Sequence, residues 1–391
     1  MTRGRWAIFN PAGARRVIVT KNLPGSRWQR LLCAAGCRIE VARGQHPLDE
    51  SELVDAIGDR CAAAIGQLTE PWTATVLGAL AAAGATAYSN YAVGCNNVDV
   101  AAATRLGLPV GNTPGILTET TAEMAVALTF AAARRVAEGD RHMRACRFDG
   151  WAPNLMLGEL LWRKTLGVVG AGRIGAVYAR MMVEGHKMDL MYYSPSVNEQ
   201  LESLVAEYSA FLAARGERPV VCRRAATLGE LLRVVDVLSL HAPLTETTRH
   251  LIGRPELATM KETAVLVNTS RGLVLDEVAL VEHCRAHPGF RAGLDVYEDE
   301  PGMKPGLSEL DNVVLAPHLG SATSWTREGM ATLAAANVIA LLNGWPVWPQ
   351  ATTLSDVLPF LDEPAPQAAP SIVNADALGL PRLARDGDGR G

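Results

Sequence analysis

The stretch Thr165-Leu166-Gly167-Val168-Val169-Gly170-Ala171-Gly172-Arg173-Ile174-Gly175 decides the fold. A short apolar run leads into three glycines at G-x-G-x-x-G spacing, and the residues after them keep helical spacing through Met182. Strand, tight turn and helix in that order make a dinucleotide fingerprint, because glycines let the backbone approach a pyrophosphate. The free N–H groups and macrodipole of a helix N-terminus favour the negative charge of that group. The motif alone is weak; the strand before it and the helix after it give it weight.

Around this loop the chain has a βαβ rhythm. The first hundred residues alternate apolar runs, such as Arg16 to Thr20 and Cys61 to Gly66, with helical segments such as Ser51 to Ile57. An Ala-rich segment from Thr118 to Val136, with Thr caps and early carboxylates, predicts a helix of four or five turns. The residues from Gly150 to Lys164 read as a crossover, and Ser321-Ala322-Thr323 caps a helix from Ser324 to Leu342 that returns to the first domain. The expected fold is therefore α/β with two Rossmann-like domains, a nucleotide domain at 156–321 inserted into a discontinuous flavodoxin-like domain. That outer domain would comprise 1–155 and the returning helix of 322–362, with a mobile tail at 363–391.

Composition supports this division and removes other classes. A length of 391 residues exceeds what one hydrophobic core usually serves. Hydrophobic residues at 48% and charged residues at 20% are ordinary for a globular protein, and a net charge of -4 without a basic stripe argues against nucleic acid. No apolar run approaches the roughly 18 residues needed to span a bilayer. The seven Cys contain no C-x-x-C pair, so neither a disulfide framework nor a zinc site is expected, and reduced thiols fit the cytoplasm. Cys33 and Cys37 are expected on one helical face, buried and inert. Arg3, Arg5, Arg15 and Arg16 leave a mitochondrial address open.

Three polar residues follow strand-like runs downstream of the loop: Arg271 after Val265-Leu266-Val267-Asn268, Glu300 after Gly293-Leu294-Asp295-Val296, and His318 after Val313-Val314-Leu315. Ligands of open α/β sheets bind at such strand ends. Reduction of a 2-oxo acid needs a hydride source, an acid for the carbonyl oxygen and a cation for the carboxylate. Arg271 offers a planar fork for a carboxylate, His318 can carry a proton near neutral pH, and Glu300 bonded to the imidazole would stabilise its protonated form. Read singly, the three fit a turn residue, a surface acid and a strand cap; shared placement is what makes them a site. His241, in His241-Ala242-Pro243-Leu244-Thr245, reads as a wall of the cofactor site and not as a base.

One position departs from the usual pattern. The strand after the glycine loop, Asp189 to Tyr193, ends in Ser194 where an acid commonly binds the ribose hydroxyls. Ser194 tolerates a ribose phosphate, yet no Arg follows closely, so NADH and NADPH both remain, with the balance toward NADH.

The chain resembles the D-isomer-specific 2-hydroxy-acid dehydrogenases, in their plant-type hydroxypyruvate reductase branch. The resemblance spans nearly the whole chain and rests on Tyr91 to Asp99, Gly111 to Gly115, Leu117 to Glu123, Gly170 to Gly175, Asn268 to Gly272, Glu300-Pro301 and Pro317-His318. The branch is indicated by the insertion from Glu199 to Arg224, by Trp325 to Met330, and by Pro370 to Asn374 with Ala377 to Pro381. It implies reduction of hydroxypyruvate to D-glycerate, and of glyoxylate, with Arg271, Glu300 and His318 catalytic. It also implies a substrate carboxylate held by the backbone at Val93 and Gly94, and a homodimer in which Trp151 reaches the neighbouring substrate site, although a Trp packed at a hinge fits as well. The cofactor would be met by Thr118, Gly170, Gly172, Arg173, Ile174 and Gly175. Ser194, His241, Ala242, Pro243 and Thr247 would lie along it, as would Asn268, Thr269, Ser270, Asp295, His318 and Gly320. The peroxisomal Ser-Lys-Leu ending of the plant enzymes is not present. Relatives acting as dinucleotide-sensing corepressors, and reductases of other 2-oxo acids, stand as alternatives; a formate dehydrogenase is disfavoured because those relatives have Gln where Glu300 stands.

Overall fold

A computed structural model describes residues 5–44 and 46–384. The chain forms two compact units, one of residues 1–117 with 322–391 and the other of residues 118–321.

The first unit begins with β1 (Trp6–Phe9), β2 (Arg15–Val19), α1 (Arg27–Ala34), β3 (Cys37–Ala42), α2 (Glu50–Ile57), β4 (Ala63–Gly66), α3 (Ala74–Ala82), β5 (Ala87–Asn90), α4 (Val100–Arg105) and β6 (Val110–Gly111). Its sheet runs β1-β3-β2-β4-β5-β6, parallel except for the edge strand β1, which pairs antiparallel with β3. Without that edge the order is the flavodoxin-like 2-1-3-4-5. Local chemistry starts the helices: Asp49 forms a capping box with Glu52 at α2, and the Thr73 hydroxyl accepts from Val76 N at α3. Ile18, Leu53, Trp72, Val76 and Tyr88 fill the core on one side of the sheet.

Cys33 and Cys37 do not share a helical face. Gly36, with a φ of +74°, ends the α1 turn, so Cys33 closes the helix and Cys37 starts β3. Cys37 is buried, and Cys33 is half-buried.

The second unit holds α5 (Thr118–Ala133), α6 (Val136–Arg144), β7 (Thr165–Val169), α7 (Arg173–His186), β8 (Asp189–Tyr193), α8 (Glu199–Ala213), β9 (Cys222–Arg224), α9 (Leu228–Leu232), β10 (Val237–Leu240), α10 (Arg254–Thr259), β11 (Val265–Asn268), α11 (Glu277–Ala286), β12 (Arg291–Leu294) and β13 (Val313–Leu315). All seven strands are parallel, in the order β13-β12-β11-β10-β7-β8-β9. This is the doubly wound dinucleotide-binding order with one further strand, and its switch point lies between β7 and β10. Apolar cores cover both faces.

The compact unit starts at Thr118 and not at residue 156. Ala122, Ala125, Leu128 and Ala132 of α5 are buried in the same core as β7, α7 and β11, so burial assigns the helix to this unit. The Ala-rich helix thus packs internally, and it ends where Arg135 takes a left-handed φ of 55°.

After residue 321 the chain supplies α12 (Ser324–Leu342), capped by Thr323, and α13 (Leu354–Val357) to the first unit. The described part of the tail is packed, against expectation. Ala369, Ile372 and Ala375 are buried, and Asn374 accepts from Val110 N at 2.9 Å while donating to Leu108 O at 3.0 Å. A proline-rich composition hid a segment anchored by one buried amide. Arg3 and residues 385–391 lie outside the described residues.

Candidate functional site

Arg271, Glu300 and His318 all stand in the second unit, at the C-terminal ends of β11, β12 and β13. Adjacent parallel strands bring together residues that are far apart in sequence. Asn268, wholly buried, shapes the first turn: its Oδ1 accepts from the N–H and hydroxyl of Ser270, and its Nδ2 donates to Arg271 O. Asn268 and Ser270 thus position Arg271 as well as closing a strand. Gly272 follows, and a Cβ there would meet the Tyr297 carbonyl carbon at 1.9 Å. Only glycine lets the Arg271 turn lie against the loop that carries Glu300.

Glu300 is tied at both oxygens. Oε1 accepts from Tyr297 N at 3.0 Å, and Oε2 lies 2.9 Å from His318 Nδ1. Burial raises the Glu300 carboxyl, but the His318 hydrogen bond and charge, the Tyr297 N–H and the Arg271 charge outweigh it and hold the group below the usual carboxylate range. An ionised Glu300 fixes Nδ1 of His318 as a donor, which leaves Nε2 as the nitrogen that can exchange a proton. The His318 backbone takes a φ of 54°, a conformation that costs a β-carbon residue about 1–3 kcal/mol, and is held by N–H bonds to Asp295 O and Ala316 O.

Asp295 supports this turn from beneath. It is 1% exposed, and its two oxygens accept from Leu319 N at 2.6 Å and Gly320 N at 2.7 Å. Burial raises its carboxyl against the pull of those bonds. Both oxygens are committed to the backbone, so Asp295 positions the His318 loop.

The glycine loop lies at the switch point. Gly170 has a φ of +89°, and a Cβ there would meet Ala242 N at 2.7 Å, so β7 and β10 end in contact. A Cβ on Gly172 would meet nothing within 4 Å; the space above the start of α7 is open. Gly172 gives α7 no side-chain cap, which leaves the N–H groups at Arg173, Ile174 and Gly175 for an anion. The hydroxyl of Thr269 is buried without a hydrogen-bond partner at the end of β11. Open cradle, uncapped helix and orphaned hydroxyl fit a dinucleotide.

His241 lies beside this loop. Its Nε2 is 2.8 Å from the Ser239 hydroxyl, its ring is 5.1 Å from that of Tyr178, and burial pushes its pKa down to about 3. It is neutral at working pH and is no acid catalyst. Pro243 and Thr247 stand in the exposed turn beyond it, where Thr248 donates to Pro243 O. Thr118 opens α5 and is 7% exposed.

Ser194 closes β8, and its hydroxyl accepts from Ala171 N at 2.7 Å. Sequence reading missed two neighbours here. Asn198 Nδ2 donates to Ala171 O at 2.8 Å, and Arg224, at the end of β9, donates to the carbonyls of Ser194 and Pro195. The premise that no cation stands near Ser194 does not hold, because strand pairing recovers what linear distance hides.

In the first unit, Val93 and Gly94 follow β5. The carbonyls of Ala92, Val93 and Gly94 accept from Thr113 N, Asn112 Nδ2 and Asn90 Nδ2, each at 2.9 Å. In a trans peptide the N–H opposes the preceding carbonyl, so the N–H groups of Val93 and Gly94 are turned away from these partners. That arrangement suits an anion. Trp151 is 83% exposed, and Phe148, Leu157 and Leu160, near it in sequence, are exposed too. Among the described residues no group of His, Cys, Asp and Glu could hold a metal, and no helix is long and apolar enough to cross a membrane.

Residues 126–320 match the family model described as D-isomer specific 2-hydroxyacid dehydrogenase, NAD binding domain. The chain is 54% identical to the glycerate dehydrogenase of Cucumis sativus, over 95% of this chain and 97% of that one. It is 52% identical to "Glycerate dehydrogenase HPR, peroxisomal" of Arabidopsis thaliana, over 96% and 97%. Among solved structures, the TT0316 protein of Thermus thermophilus is similar with a TM-score of 0.74 and 38% identity, covering 84% of this chain and 97% of that one.

Proposed function

Because the chain belongs to the D-isomer specific 2-hydroxyacid dehydrogenases, we propose that it reduces hydroxypyruvate to D-glycerate, and glyoxylate to glycolate, with a nicotinamide dinucleotide. The observation that carries this reading is the 2.9 Å contact of His318 Nδ1 with Glu300 Oε2 beside Arg271. When bound, the reduced nicotinamide supplies a hydride to the carbonyl carbon. His318 gives the carbonyl oxygen a proton from Nε2, and Glu300 stabilises the imidazolium that must form beforehand. Arg271 takes the substrate carboxylate in its fork and polarises the neighbouring carbonyl. The 118–321 unit is the dinucleotide domain on this reading, with the pyrophosphate at Gly170, Gly172 and Gly175, and the other unit is the substrate domain.

The full-length identity to two glycerate dehydrogenases favours this substrate over other 2-oxo acids and over a corepressor role. The exposed apolar residues around Trp151 fit a homodimer interface, and seven thiols outside any disulfide fit a reducing compartment such as the cytoplasm. The test is a panel of hydroxypyruvate, glyoxylate and pyruvate against NADH and NADPH, following cofactor absorbance. Hydroxypyruvate is expected to give the highest kcat/KM. Preference for pyruvate would refute the substrate, and absence of oxidation with all three would refute the enzyme.

A further inference from the structure

The end of β8 differs from a site built for an unphosphorylated ribose. There an acid would accept the ribose hydroxyls and repel a phosphate; here stands Ser194, 8% exposed. Its oxygen already accepts from Ala171 N at 2.7 Å, so its own hydrogen is left to donate. A phosphate oxygen is purely an acceptor and matches that hydrogen.

Beside it is a cation brought by topology. β9 pairs parallel with β8, with Tyr192 opposite Arg224, so the two strands deliver Ser194 and Arg224 to the same end of the sheet. Arg224 Nε and Nη2 donate to Ser194 O at 3.1 and 2.9 Å, and Nη2 donates to Pro195 O at 2.8 Å. Those bonds fix the guanidinium plane at the strand end, and Nη1 takes part in none of them. Three acids of the surrounding elements are engaged elsewhere, while Glu199, in the first turn of α8, is exposed. Glu202 accepts from Tyr192 OH, Glu230 pairs with Arg223, and Asp189 pairs with Arg218 at the opposite end of β8.

We propose that Ser194 and Arg224 seat a phosphate on the adenosine ribose, making NADPH the preferred cofactor. The inference rests on the reading that the glycine loop binds a dinucleotide and deepens it. A charge-assisted contact of this kind is expected to favour the phosphorylated ligand by about tenfold to a hundredfold.

The test is calorimetric titration of the full chain with adenosine 2′,5′-bisphosphate and with AMP. The parent is expected to bind the bisphosphate at least tenfold more tightly (about 1.4 kcal/mol). Arg224→Ala should remove that difference while AMP binding stays as in the parent, and Ser194→Asp should reverse it. Equal binding of the two ligands by the parent, persistence of the difference in Arg224→Ala, or loss of both ligands alike in that variant would overturn the proposal. Hydroxypyruvate-dependent oxidation of NADH and NADPH, followed on the same preparation, separates the two ideas. Oxidation without bisphosphate preference sinks the phosphate seat alone, and bisphosphate preference without oxidation sinks the substrate reading alone.

Discussion

The two flanks of the parallel sheet in the 118–321 unit are built differently. On the β11–β13 flank, each strand is followed within a few residues by the side chain that matters: Arg271, Glu300 or His318. On the β7–β9 flank, the loop glycines are local, but the strand end beyond them is completed by Asn198 and Arg224, on the far side of turns and of α8. On the proposed reading, the first flank would serve proton and carboxylate chemistry and the second an anion. Parts that each end a strand are visible in a linear reading; parts that meet through strand pairing are not.

If the flanks divide the work in this way, changes on one should spare the other. His318→Ala has the largest expected effect, lowering kcat by about 10²- to 10⁴-fold with little change in the dissociation constant of the dinucleotide. Stopped-flow turnover and fluorescence titration check the pair of numbers; a matching loss of dinucleotide affinity would break the division. Gly272→Ala comes next. Its Cβ would meet the Tyr297 carbonyl carbon at 1.9 Å, so the Arg271 and Glu300 loops must part, at about 3 kcal/mol or more in urea unfolding. Stability like the parent's would show that those loops are not in contact.

Glu300→Gln should lower kcat by about tenfold to a hundredfold, and it has a pH signature. The folded carboxyl sits below its ordinary value of 4.5, so its stabilisation is complete above that value and is lost as pH falls through the lowered one. Melting temperatures of parent and variant should therefore differ most near neutrality and converge in acid. A difference that widens in acid would reverse the sign assigned to Glu300. Arg271→Lys is expected to act more mildly, raising KM for hydroxypyruvate about tenfold through loss of the fork, with the dinucleotide unaffected. Arg218→Ala should matter least: its pair with Asp189 is solvent-exposed, at the end of β8 away from Ser194, and is worth under about 1 kcal/mol. A measurable change in dinucleotide affinity there would extend the anion site further than its residues indicate.

Much of the fold was legible because apolar period and caps are local signals. The helix at Ser324–Leu342 has the bounds that its Thr323 cap and apolar spacing require. The start of the second unit was not legible, since the sequence of α5 says that it is buried but not against what; Leu128 and Ala132 acquire a partner only once β7 and β11 are placed. The tail failed for the opposite reason. Its prolines signal an irregular backbone, and irregularity is not mobility when Asn374 satisfies the backbone of Leu108 and Val110. At the candidate site, residue types drew attention to Arg271 and His318, whereas the hold of Asp295 on two backbone N–H groups is seen only in the structure.

The position of α12 in the chain has a consequence for synthesis. Its buried Leu333, Val338 and Ala340 belong to the unit that starts at the N-terminus, where the helix packs on α1, β4 and β5, yet they are encoded after the whole of residues 118–321. At about 5–20 residues per second, roughly 10–40 s separate the emergence of β6 from that of the helix that covers its sheet. By the end of that interval the inserted unit has emerged whole, whereas the sheet of the first unit has had to wait for the helix that covers it.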